Sequence, residues 1–192
     1  MKRLYHLYHV SFSVRRIEQF TPRIPRQRMT GEDATTRRIC LSPGLHACLD
    51  ANPYPGDIFE DDGYLETHDV TMHRLDHPEK GVVYGVPFVL YAFDVPEDGL
   101  LFPADLASCV PDARETGEHW ATVPLVPTST QFFVLYDSNP GGYVDYDELS
   151  EDVFRAAIPV DADGAPLGFP FDERPFSVVS DDIDGQLTDT ID

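Results

Sequence analysis

Residues 81–95 read GVVYGVPFVLYAFDV. β-Branched and aromatic side chains fill this stretch, and Asp94 is its only charge. Such a run fits a strand buried on both faces, because side chains alternate across a strand and here both alternating sets are apolar. Gly85 and Pro87 interrupt it, so the stretch is either one bent strand or a hairpin.

Downstream, residues 120–126 (WATVPLV) and 131–136 (QFFVLY) read as two further strands, with residues 127–130 as a hairpin loop between them. Upstream, residues 53–80 are polar and rich in turn formers, and read as a surface loop or an insertion. The stretch 4–12 (LYHLYHVSF) reads as a buried first strand, and 38–41 (RICL) as a short second one. Ser42-Pro43 has the composition of a helix N-cap followed by the first helical residue. A short helix over 46–51 would follow, stopped by Asn52-Pro53. Residues 147–157 have helical composition, with Leu149, Val153 and Phe154 on one face. Strands therefore dominate, with two or three short helices and no βαβ alternation. The expected class is α+β rather than a doubly wound parallel sheet.

One domain over residues 1–180 accommodates these elements. Residues 181–192 carry five Asp and no Lys or Arg, too little apolar area to order themselves, and read as an acidic disordered tail. No apolar run is long enough to span a bilayer, and His6 and His9 interrupt the N-terminal apolar stretch, so neither a membrane span nor a signal peptide is expected. Cys40, Cys48 and Cys109 are an odd number without CxxC spacing. They read as reduced thiols of a cytoplasmic protein.

The formal charge is −20, unevenly spread. Residues 1–38 hold nine basic and three acidic side chains, a net of +6, which leaves −26 on the rest. An acidic body repels phosphate backbones, so general nucleic-acid binding is not expected. Neither a GxGxxG nor a GxxxxGK[ST] fingerprint is present. Metal motifs are also absent: His68, His73 and His77 recur at spacings of no established site, and the acidic run 57–62 lacks the calcium-loop pattern. No GxSxG elbow marks a nucleophilic serine, and Cys40 and Cys48 sit in apolar contexts that favour inert thiols.

Three residues stand out. His9 lies inside the first strand (LYHVS), where a histidine is either satisfied by backbone or directed into a cleft. Ser42 ends the second strand (RICLSP), as an N-cap or a ligand contact. Glu118 opens a later strand (TGEHWATVP), as a solvated turn residue or as a carboxylate able to stabilise a developing positive charge.

Taken in chain order, these pieces resemble the ADP-ribosyltransferase superfamily, in which a His or Arg, then a Tyr or Ser, then an acid occupy successive strands. The resemblance covers roughly residues 4–136, and the opening LYHVSF is also similar to small phage-borne and mobile-element proteins. It implies a split pair of small antiparallel sheets around an NAD cleft. Within it, His9 would bind the adenosine-side ribose, Ser42 would shape the nicotinamide pocket, and Glu118 would hold the nicotinamide ribose as nicotinamide leaves. Arg23, Arg26 and Arg38, between the first two motifs, would meet the diphosphate. The acceptor of ADP-ribose would be a protein target. Glu115 lies three residues before Glu118, not the two of a Glu-x-Glu pair. The alternative is a non-enzymatic inhibitor whose acidic body mimics nucleic acid or docks on a basic partner.

Overall fold

The structure is a computed structural model that describes residues 3–12, 14–25, 31–51, 57–61, 63–68, 72–110, 112–137 and 143–158. The strands are β1 (Leu4–Ser11), β2 (Ile39–Leu41), β3 (Asp57–Asp61), β4 (Tyr64–His68), β5 (His73–His77), β6 (Gly81–Pro96), β7 (Leu100–Leu101), β8 (His119–Ala121), β9 (Ser129–Asp137) and β10 (Tyr143–Leu149). The helices are α1 (Leu45–Asp50), α2 (Pro103–Leu106), α3 (Ala113–Thr116) and α4 (Glu151–Ala157). The class is α+β and strand-rich, with all strand pairs antiparallel.

Two sheets share the strands. The larger has seven, ordered β1-β6-β9-β10-β4-β3, with β5 also paired to β6; the smaller is β2-β8-β7. The run at 81–95 is one strand of 16 residues, not a hairpin. Along one edge it pairs first with β5 and then with β1, while its other edge pairs with β9. Its alternation sends Val89, Tyr91, Phe93 and Val95 into one apolar cluster, and Val86, Phe88 and Leu90 into another. Phe154 and Ile158, in and just after α4, belong to the first cluster. Cys48 and Leu49 of α1 belong to the second. Helices thus cover both faces of the large sheet, which is why β6 tolerates almost no polar side chain. A third cluster packs Trp120 of β8 against Leu106, Val110 and Ala113, with Cys40 and Cys109 at its margin.

Three sequence expectations are corrected. Residues 57–77 form β3, β4 and β5 within the large sheet rather than a surface loop. Ile58 of β3, Leu65 of β4 and Leu75 of β5 are buried, and these apolar contacts secure strands whose sequences are otherwise mostly polar. Residues 127–130 do not close a hairpin, because β8 belongs to the small sheet and β9 to the large one. Between them Leu125 pairs with Phe20 in an isolated bridge. Finally, residues 147–149 extend β10 against Phe132–Val134 of β9, and helix α4 begins only after the Ser150 cap. Backbone pairing here overrides the helical preference of Glu and Leu. The tail at 181–192 lies outside the described residues. Among the described residues no helix is long and apolar enough to cross a membrane.

Gly85 sits where β6 is flanked on both edges, opposite His73 and Tyr136. A Cβ there would lie 2.2 Å from the Leu135 carbonyl oxygen, a backbone atom that cannot swing aside. Gly85→Ala is therefore expected to destabilise the fold by about 1–3 kcal/mol in urea denaturation; an unchanged midpoint would contradict this packing.

Candidate active site at the seam of the two sheets

The sheets meet where β1 runs beside the chain that leaves β2. Tyr8 and Ser42 exchange two backbone hydrogen bonds, each 2.9 Å. One further antiparallel step would set Val10 opposite Cys40. The ladder stops instead, and the His9 imidazole bonds the Cys40 carbonyl through Nδ1 at 2.9 Å. A side chain thus takes the place of the missing backbone partner, and the sheets part to leave a cleft. His9, Ser42 and Glu118 all line it, with Cys40 and Cys48 between them. The empty space is about 310 Å³, including the part that opens to solvent.

Burial, with a further contribution from the nearby positive charge of Arg23, pulls the His9 pKa down to about 4. The ring is neutral at pH 7. A carbonyl accepts only, so Nδ1 carries the hydrogen and Nε2 keeps its lone pair. His9 also packs edge-on against Phe20, with ring centroids 5.2 Å apart.

Ser42 is buried, but it is not the helix cap. Its backbone is committed to the bridge with Tyr8, which prolongs the strand. Gly44 takes the cap position, in extended conformation and without a side-chain cap. The Ser42 hydroxyl instead bonds with the Cys48 thiol in the cleft wall.

Glu118 is 8% exposed, far from the solvated turn residue that its neighbours suggest. Gly117 makes this placement possible. It ends α3 with φ +66°, where a side chain is strained, and a Cβ would crowd the Pro43 ring at 3.1 Å. The Glu118 carboxylate accepts from the Trp120 indole Nε1 at 2.7 Å and also bonds the Cys40 thiol. Burial pushes its pKa up, and Glu32 adds to this, while Cys40, Trp120 and Arg38 hold it back.

The surroundings disfavour the thiolate form of both cleft cysteines. Burial and then the Glu118 charge hold Cys40 well above the ordinary thiol range, and burial pushes Cys48 up to about 12. Among the described residues no group of His, Cys, Asp and Glu is arranged to hold a metal ion.

The arginines divide. Arg23 lies close enough to His9 to act on its charge. Arg38 does not present its guanidinium at the cleft mouth: the side chain is 0% exposed and is spent on the fold. It donates to the carbonyls of Asp33 (2.9 Å) and Thr36 (3.1 Å), pairs with Glu32, and stacks on Trp120 with Cζ 3.7 Å from the ring centroid. A charge buried this deeply is held by fixed partners rather than by a diffusing ligand. Arg26 lies outside the described residues.

Sequence reasoning read Cys40 and Cys48 as inert thiols and passed over Trp120. A signal for Trp120 was present. It stands two residues after Glu118, and the period of a strand puts such neighbours on one face.

No protein-family model, no curated protein and no solved structure matches the chain.

Opposite pH signatures follow from the two titrating groups. A histidine pKa lowered to about 4 costs stability as pH falls below about 6.5, by at most about 3 kcal/mol at pH 4. His9→Asn keeps a donor for the Cys40 carbonyl and is expected to flatten that limb in denaturation series run from pH 7 to pH 4. The raised pKa of Glu118 acts the other way: stability is greatest below the ordinary carboxyl range and is lost as pH rises through the folded value. Glu118→Gln still accepts from Trp120. It should match or exceed the wild-type stability at pH 7, with the advantage gone at pH 4; a marked loss at pH 7 would make Glu118 a structural residue.

Proposed function

We propose that this cleft binds NAD by its nicotinamide-ribose end and breaks the bond between the two, passing ADP-ribose to a protein target as ADP-ribosyltransferases do. The observation that carries the reading is the convergence of His9, Ser42 and Glu118, far apart in sequence, on one cleft between two antiparallel sheets. The adenosine-side ribose would lie at His9, and the diphosphate would run toward Arg23, which is near enough to act on the His9 charge. The inhibitor reading offers no reason for a buried carboxylate and a neutral imidazole to line one cleft.

Each residue has a chemical part in this scheme. Neutral His9 would meet a hydroxyl of the adenosine-side ribose. Ser42 supports the wall beside the nicotinamide. Glu118, poorly solvated, is attracted to positive charge, which the oxidised nicotinamide ring carries in the ground state and the ribose carries in the transition state. The C–N bond breaks and its electron pair leaves with nicotinamide. The oxocarbenium-like ribose is then captured by a nucleophile of the target, or by water, which gives up its proton.

NAD at 100 times its dissociation constant is expected to stabilise the protein by about 2.7 kcal/mol in a thermal-shift titration. The reduced form lacks the ring charge and should bind more weakly. Glu118→Gln should lower NAD cleavage by about 100-fold or more while the protein stays folded. Full turnover in that variant, or no stabilisation by NAD, would set the reading aside.

A further inference from the structure

We propose that Trp120, with Arg38 behind it, is a positioning residue that holds Glu118 as an oriented carboxylate facing the cleft. The inference rests on the reading of Glu118 as the acting carboxylate, and the geometry points to it from both sides of one indole. The Trp120 N–H, on the positive edge of the ring, donates to Oε1 of Glu118 at 2.7 Å. Arg38 lies over the electron-rich face, with Cζ 3.7 Å from the centroid. Cation on the face and anion at the N–H edge are the complementary placements for an indole quadrupole, and each strengthens the other.

Packing alone does not account for this arrangement. Trp120 is 1% exposed, and any neutral carbonyl would satisfy its N–H. A buried carboxylate is a costly acceptor. Arg38 is equally costly: among the described residues its buried Nε–H finds no acceptor. Residues 32–36 lock the guanidinium in place through Glu32 and the carbonyls of Asp33 and Thr36. The ionisable neighbours acting on Glu118 are Cys40 of β2, Arg38 just before it, and Glu32 from the preceding segment. Of these only Arg38 is cationic, and it reaches Glu118 across the indole.

The chain has one tryptophan, so its emission reports the surroundings of this one indole. In wild type, emission should change with pH as Glu118 titrates, and Glu118→Gln should abolish the change. Trp120→Phe keeps the ring and removes the donor. The ¹³C carboxyl signal of Glu118, assigned by its loss in Glu118→Gln, should then titrate about one pH unit higher. The acid limb of NAD cleavage should move with it, and KM should hold while kcat falls. Arg38→Lys loses the flat stack and should shift the same signals in the same direction, which serves if Trp120→Phe does not fold. An unmoved Glu118 titration in the folded variants overturns the proposal. If wild type does not cleave NAD, the functional reading fails on its own, and the carboxyl titration still decides whether Trp120 holds Glu118.

Discussion

The site depends on one short seam. Two backbone hydrogen bonds between Tyr8 and Ser42 fasten the small sheet to the large one, and the ladder goes no further. Had it continued, Val10 would face Cys40 and the sheets would merge, leaving no space between them. The His9 side chain satisfies the Cys40 carbonyl that the arrested ladder leaves over. A buried carbonyl without a partner costs free energy comparable to a lost hydrogen bond, so the same bond that fixes the imidazole also makes the opening tolerable.

Cys40 then ties the two sides of the cleft together. Its carbonyl meets His9 of β1 and its thiol meets Glu118 before β8. The surroundings push both ionisable groups toward neutrality, lowering one pKa and raising the other. Apolar packing by β6, α1 and Phe20 surrounds the cleft and lowers the solvation of both groups. Residues with opposed shifts in one cleft are a recurrent mark of acid–base or electrostatic work. A purely structural interior has little use for a carboxylate that burial destabilises.

Much of the frame was legible in the sequence. The apolar run at 81–95 announced a strand buried on both faces, and β1, β2 and α1 appear within a residue or two of their expected places. Short, mostly polar strands were harder to read. β4 (YLETH) and β5 (HRLDH) each bury one apolar side chain, and one point defines no period. At residues 147–149 the local preference for helix was real, but β9 offered a stronger partner. His9 was visible as an oddity of residue type inside a strand, and Ser42 and Glu118 as oddities beside strand ends. The role of Arg38 was not, because an arginine in a basic stretch looks the same whether it waits for phosphate or lies on a tryptophan. Only the fold distinguishes the two.

A titration of ¹⁵N-labelled protein with oxidised NAD reads the cleft directly through the lone indole N–H, whose signal stands apart from the backbone amides. The account predicts a saturable shift of that signal together with the Nε2 resonance of His9, both lost in Glu118→Gln or reduced with it. An indole signal that stays fixed at millimolar NAD, or that moves without His9, would contradict a single site built from both sheets.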